Sequence, residues 1–375
     1  MTSSKLTVLM ALYNGGEYLR HSLRSVLEQT YRDFEFLIIN DRSIDNSMET
    51  IASFRDQRIK IHHNSSNIGQ AASLNAGLKL ASGDYIARMD ADDIAFPRWL
   101  ERQMAFIERA PGCSVVSTQA LVIDENNRIK KSYKPPSSRE DIILRALVAS
   151  PINHVGALLK KKDVLEAGGY DERYKTAADY DLWGKLLRNG RKITATEEML
   201  VAIREHARSL SRSERGKQEL TEIIDIAQKN IAAFTSAQLT HDEARLFCKT
   251  NYEAGDLSEP EFLQALSIMK RVYGSLRSSW GVDSSKALQW LGKRYETIYL
   301  KRIFAAITQQ NYREVRELSR EGIKLFGFRG VFLIFAMGSL FGGAFLSRMP
   351  GLYEETLRKR ACLVVGDKLK MGLLG

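Results

Sequence analysis

The first ninety residues alternate short apolar runs with stretches of helical spacing, and this alternation narrows the fold more than any other feature of the chain. Leu6–Leu12, residues 34–39, the pair Ile59 and Ile61, and Tyr85-Ile86-Ala87 have the length and content of buried strands. Between them Leu19, Leu23, Val26 and Leu27 recur at helical spacing, as do Met48, Ile51 and Phe54, then Leu74 and Leu78. Strands and helices of these lengths in strict alternation predict βαβ units and a mostly parallel sheet flanked by helices. Ligands of such sheets bind outside the carboxyl ends of the strands. Tyr13-Asn14-Gly15-Gly16, Asn40-Asp41-Arg42-Ser43 and the residues from Asp90 onward all follow strand ends. One crevice is expected to collect them.

The fourth run, GDYIARMDADDIAFP over 83–97, places Asp90, Asp92 and Asp93 within four residues. Like charges this close repel and raise one another's pKa, so the cluster predicts a cation. Oxygen ligands with no Cys or His nearby suit a hard ion, Mg²⁺ or Mn²⁺, which keeps positions open for substrate phosphates. A polar turn capping the following helix is the bland alternative. No GxxxxGK[ST] or GxGxxG occurs, so neither a P-loop nor a dinucleotide fingerprint accounts for the crevice.

Length and composition fit this reading. The 375 residues allow two or three domains, and 44% hydrophobic against 27% charged content is that of a packed chain. The three cysteines, Cys113, Cys248 and Cys362, lie far apart without a CxxC, which predicts free thiols in a reducing compartment. The N-terminus lacks the long apolar core of a signal peptide, so the site is expected to face the cytosol. The net charge of +10 is concentrated after residue 210. Basic excess admits nucleic acid, anionic lipid or phosphorylated substrates. No helix-turn-helix, zinc-finger or RNA-binding aromatic signature is present, so nucleic acid is not the expected partner.

Further along, Trp99, Leu100, Met104 and Ile107 mark a helix closed by Pro111-Gly112, and residues 115–117 and 121–123 read as two strands beside Asp124-Glu125-Asn126-Asn127. His154 leads into a strand over 155–159. A helix is predicted from about Asp179 to Arg188, in which Asp179 and Trp183 share a face. Asp179 reads either as that helix's N-cap or as a carboxylate beside an aromatic platform for a sugar. His206 stands between Arg204 and Arg208, an arrangement suited to a diphosphate.

LTVLMALYNGGEYLRHSLRSVLEQTYRDFEFLIINDRSIDNS, NIGQAASLNAGLKLASGDYIARMDADD, GGYDE, DYDLW and REHARSLS, in this order over about 5–212, resemble a family 2 glycosyltransferase. The resemblance implies the GT-A fold, a nucleotide-diphosphate sugar donor (UDP-sugar the first expectation), a divalent metal and inversion at the anomeric carbon. Ala11, Tyr13, Glu17 and Asp41 match positions that hold the nucleoside, and Asn75 and Arg88 are assigned with them to the donor. Asp90 matches the ribose-side member of the DxD, shared with the metal, and Asp92 the metal ligand. Asp179 matches the catalytic base and His206 a residue near the diphosphate, with His154 and Trp183 on the acceptor side. The expected acceptor is a saccharide or a lipid-linked sugar in cell-surface polysaccharide or glycolipid synthesis. Ala178 stands where this family commonly has Glu, which leaves a catalytically idle sugar-nucleotide-binding or membrane-surface module as the alternative.

The domains expected are 1–212 for transfer, a helical region over 213–310 and a tail over 311–375. In the tail Tyr312, Val315, Leu318, Leu325 and Phe326 share one face while Arg313, Arg316, Arg320 and Lys324 stripe another. Residues 331–346 carry no charge. As a helix this run would reach ~24 Å, short of the ~30 Å hydrocarbon core. A buried hairpin, a patch lying on a membrane and a true span are all open readings. A basic helix beside such a run predicts a protein held on the inner face of the cell membrane.

Overall fold

The structure, a computed structural model, describes residues 5–110, 112–206, 216–252, 257–276, 296, 298–303, 306–307 and 309–326. It divides into two compact units, Met1–Phe234 and Thr235–Gly375.

The first unit opens with the predicted alternation: β1 (Leu6–Leu12), α1 (Leu19–Leu27), β2 (Glu35–Asn40), α2 (Ser47–Ala52), β3 (Ile59–His63), α3 (Gln70–Leu80) and β4 (Tyr85–Arg88). It continues through β5 (Ile94–Ala95), α4 (Trp99–Arg109), β6 (Cys113–Ile123), β7 (Ile129–Tyr133), α5 (Arg139–Ala146), β8 (Leu158–Lys160), α6 (Lys161–Glu166), α7 (Ala178–Arg188), β9 (Lys192–Arg204) and α8 (Gly216–Phe234). Among the described residues these strands form one sheet in the order β3-β2-β1-β4-β8-β6-β9-β5, with β7 paired to β6. The pairings β3-β2, β2-β1 and β1-β4 are parallel, whereas β4-β8, β8-β6 and β9-β5 are antiparallel. The sheet is therefore mixed, its parallel half being the nucleotide-type half the sequence predicts. Chain connections leave β1 toward β2 on one side and return as β4 on the other, which opens the crevice at the carboxyl ends.

Both faces of β1 are buried, as a central parallel strand requires. Leu6, Val8, Met10 and Leu12 pack with Leu19, Leu23 and Val26 of α1 and Leu100 and Met104 of α4. Each such buried side chain contributes roughly 1.5–3 kcal/mol. On the other face Leu9 and Ile39 meet α3 at Gly77, where a Cβ would lie 2.3 Å from a Leu9 methyl. Gly83 is less forgiving, because a Cβ there would stand 2.6 Å from the backbone nitrogen of Thr7 and 2.7 Å from the carbonyl carbon of Leu6. Backbone cannot swing away as a side chain can. Gly83→Ala should therefore destabilise the first unit by about 1–3 kcal/mol, read as a lower urea midpoint with an unchanged slope; an unshifted midpoint would refute it.

The strand expected over 155–159 is shorter and later, β8 spanning Leu158–Lys160. Residues 113–123 form one continuous strand rather than two, running through Thr118-Gln119 with register irregularities against β9. The thirteen-residue β9 has no clean alternation, since Thr194, Thr196, Glu197 and Glu198 interrupt its apolar content. The expected hairpin at 124–127 does form: Asp124 Oδ1 accepts the Asn126 and Arg128 N–H groups, and Asn127 takes a left-handed φ of 63°. Helix α8 belongs to the first compact unit, so that unit extends past residue 212 to Phe234. Cys113 and Cys248 are free and buried.

The second unit is helical where described: α9 (His241–Tyr252), α10 (Glu259–Gly274) and α11 (Tyr312–Phe326). Ser258 and Glu261 form a capping box at the start of α10. Part of the apolar stripe expected in α11 packs within its own unit. Val315 and Leu318 are buried, and Glu314 pairs at 2.5 Å with the buried Arg302. The run 331–346 lies outside the described residues. Among the described residues no helix is long and apolar enough to cross a membrane.

Candidate active site

The loops after β1 and β2 are laced together at the crevice floor. Asn14 and Arg42, both at positive φ (51° and 64°), end the strands. Ser43 Oγ accepts the Asn14 N–H, Asn14 Oδ1 accepts that of Ile44, and Ser47 Oγ that of Gly15, at 2.9–3.0 Å. Tyr13 and Glu17 are exposed on the rim and Ala11 is half-buried behind them, in register with Ile39. Asp41 is buried, its carboxylate accepting from Asn64 Nδ2 and the N–H groups of Ile68 and Gly69 at 2.8–2.9 Å. Three of its roughly four acceptor positions thus fasten the loop that starts α3.

The carboxylates follow β4. Asp90 Oδ1 is paired with the wholly buried Arg88 guanidinium, and Gln70 Nε2 stands 3.4 Å away. Ser22 Oγ donates to the Asp90 carbonyl at 2.7 Å. Strand β5 then pairs antiparallel with the end of β9, which brings Arg204 and His206 onto the same cluster. The Arg204 N–H donates to Asp93 Oδ1 (2.7 Å) and its Nε to the Asp92 carbonyl (3.0 Å). The guanidinium lies 4.5 Å over the Tyr18 ring, which in turn sits 5.1 Å from the His206 ring. His206 Nε2 is 2.9 Å from Asp92 Oδ2.

Burial and the neighbouring Asp90 push the Asp92 carboxyl above its usual range, with His206 pulling the other way. Asp93 is pushed well above by complete burial and by its two neighbours. Among the described residues no group of three or more His, Cys, Asp or Glu side chains is placed to hold an ion unaided. Asp92 and His206 offer two adjacent donors beside a repelled carboxylate pair, a set that fits Mg²⁺ or Mn²⁺ completing its shell from phosphate oxygens and water.

Asp179 lies in the first turn of α7. It is not the cap: Ala177 occupies that position. Ser150 Oγ donates to Asp179 Oδ2 at 3.3 Å. Burial raises its carboxyl to about 6, with the Asp90 charge a minor addition and the Tyr180 N–H and Ser150 hydroxyl opposing. His154 Nε2 meets the Tyr170 hydroxyl at 2.9 Å. Burial, then the Arg88 charge, push the imidazole well below its ordinary value, so it is neutral at physiological pH.

Three expected contacts are placed differently. Arg88, assigned to the donor, is wholly buried and spends its guanidinium on Asp90 and the Met89 carbonyl. Asn75, also assigned there, clamps the 170 loop instead, with Nδ2 on the Tyr170 carbonyl and Oδ1 on the Tyr170 N–H, both at 2.9 Å. Trp183 shares its helix with Asp179 as foreseen, but it is core, fully buried and edge-on to His154 at 6.0 Å. It offers no platform. Conversely Ser150, Tyr170 and Gln70 join the site unforeseen, although Tyr170 and Gln70 lie inside the GGYDE and NIGQAASLNAG strings, while Arg204 joins it beside His206 as the sequence suggested.

Comparison with known proteins bears on the whole of this arrangement. The family model for glycosyl transferase family 2 matches residues 7–168. The uncharacterized glycosyltransferase MJ1057 of Methanocaldococcus jannaschii is 33% identical over 224 residues, 59% of this chain and 77% of that protein. The amylovoran biosynthesis glycosyltransferase AmsE of Erwinia amylovora is 30% identical over 203 residues, covering 53% and 75%. Among solved structures, S. aureus TarS 1–349 in complex with UDP-GlcNAc aligns over 83% of this chain and 92% of its own, with a TM-score of 0.53 at 17% identity. That identity speaks for the fold alone, and it agrees with the mixed sheet and helical C-terminal region described above. The chain is a member of glycosyl transferase family 2.

Proposed function

We propose that this transferase moves a sugar from a nucleotide-diphosphate sugar to a hydroxyl of a saccharide or lipid-linked acceptor, inverting the anomeric centre. The observation that carries the reading is the pairing of chemistries in the first unit. A half-buried carboxylate raised to about 6 by desolvation, Asp179, also feels the charge of Asp90 in the cluster after β4. A base for the acceptor hydroxyl needs a pKa near the working pH, and Asp179 has one. Attack from the face opposite the departing diphosphate inverts the centre. Asp41 holds the nucleoside-side loop, and Asp90, steadied by Arg88, takes the ribose side. Asp92 and His206 would hold Mg²⁺ or Mn²⁺, which when bound offsets charge on the leaving nucleotide.

UDP is the first donor to test, since TarS was solved with UDP-GlcNAc, and AmsE, by name a polysaccharide enzyme, makes a cell-surface saccharide the first acceptor. A panel of UDP-, GDP- and dTDP-sugars, with membrane extract as acceptor, tests the reading through radiolabel in the polymer or lipid phase. Label is expected from one nucleotide class. Tight binding of a sugar nucleotide with no label and no slow hydrolysis would favour an idle binding module. Location on the inner membrane face rests on the basic stripe of 312–326 beside the uncharged run 331–346, and full-length protein that ignores anionic liposomes at low salt would remove it.

A further inference from the structure

The N-cap of helix α7, Ala177, makes no side-chain cap bond, yet the peptides leading into it are all held. A single carboxylate does this from another helix. Glu222 of α8, only 7% exposed, accepts the Lys175 N–H on Oε1 at 2.8 Å. On Oε2 it accepts the Thr176 N–H (2.9 Å), the Thr176 hydroxyl (2.8 Å) and the Ala177 N–H (2.9 Å). These peptides lead into the N-cap of α7, Ala177, and a negative charge is favoured at a helix start. The same helix is tied to the far side of the site. Asn230 Nδ2 donates to the Ala146 carbonyl at 2.8 Å, and the Tyr180 hydroxyl donates to that same carbonyl at 2.7 Å. Ala146 ends α5, four residues ahead of Ser150, the hydroxyl that meets Asp179.

We infer that Glu222 is a positioning residue for sugar transfer, fixing the first turn of α7 and through it the place of the Asp179 carboxylate. It lies beyond the residues 7–168 that the family model matches and makes no contact with Asp179 itself among those described above. Its influence runs through backbone: the 175–177 peptides set where the helix begins, and Asp179 is the second residue in. An error of about 1 Å in such a group costs up to ~10²-fold in rate. The inference rests on the reading of Asp179 as the base, and the experiment separates the two.

Full-length protein carrying Glu222→Ala, Glu222→Gln, Asp179→Asn, or Glu222→Ala with Asp179→Asn is compared for release of nucleotide from the panel's preferred donor and for amide exchange. Glu222→Ala should lower kcat at least about tenfold with donor KM unchanged within twofold, and the Thr176 and Ala177 amides should exchange at least about tenfold faster while those of β1 do not. Glu222→Gln, which keeps the shape and an acceptor oxygen, should recover most of the rate. In the Asp179→Asn background Glu222→Ala should cost nothing further, because residues acting as a unit are non-additive. A Glu222→Ala protein with native kcat, or equal losses in both backgrounds, overturns the inference and leaves the base reading intact if Asp179→Asn is inactive. An active Asp179→Asn overturns both.

Discussion

Replacing Asp179 with Asn should leave nucleotide-sugar affinity within about twofold of native and lower transfer at least ~10²-fold, the usual worth of a positioned base. Asn retains an oxygen for the Ser150 hydroxyl and the Tyr180 N–H but cannot take a proton. The same substitution should make the protein more stable. An acid whose folded pKa is raised binds its proton more readily when native, so native protein holds the extra proton between the unfolded value near 4 and about 6. Stability therefore falls as pH rises through that window, and the ionised carboxylate costs up to about 3 kcal/mol at neutral pH. Asn removes this cost. The parent's kcat should fall as pH drops through about 6, where the base becomes protonated, while its Tm at pH 5 exceeds that at pH 7 by more than in the variant. Initial rates and melts at both pH values check this together. A variant that turns over normally, or one whose loss of rate accompanies a lower Tm and weakened donor binding, would sink the assignment.

How far the sequence carries a reader depends on the range of the interactions involved. The parallel half of the sheet was legible because each of β1 to β4 is a short apolar run with its helix beside it. The carboxylates of 90, 92 and 93 were legible because they repel within four residues and so declare a use. Asp179 was ambiguous between cap and base, and the structure puts Ala177 at the N-cap with Glu222 from α8 holding the peptides that lead into it. No local pattern in TEIIDIAQ points to Glu222. Its partners are backbone groups 45 residues or more away, and backbone donors leave no mark in a sequence. Trp183 misled for a related reason: helical spacing shows which residues share a face but not whether that face meets solvent, and α7 is packed against α5, α8 and β9. Asn75 and Arg88 are polar side chains consumed by neighbours, the 170 loop and Asp90, that lie outside their own elements. The amphipathic stripe of α11 likewise has a core reading and a surface reading with the same periodicity, and burial of Val315 and Leu318 is visible only in the fold.

Asp92→Asn should lower transfer by about 10²–10³-fold, and chelation of native protein should do the same. A bound divalent ion supplies several kcal/mol of charge stabilisation to a departing diphosphate, and each 1.36 kcal/mol is a factor of ten. Asn offers such an ion a neutral oxygen in place of a charged one. The fold has little reason to suffer, because burial and Asp90 disfavour the Asp92 charge while its pairing with His206 and its own N–H oppose them; the metal-free Tm of Asp92→Asn should stay within about 2 °C of native or rise. The sharper readout is linkage. If Asp92 holds the ion on which the nucleotide diphosphate rests, added Mn²⁺ should tighten nucleotide binding by native protein at least about tenfold and leave the variant's affinity unchanged. His206→Ala keeps the carboxylate and loses its neighbour, so it should show an intermediate response to Mn²⁺. Native protein that transfers at full rate in excess EDTA after dialysis needs no metal. An Asp92→Asn protein that answers Mn²⁺ as native does would place the ion elsewhere in the crevice.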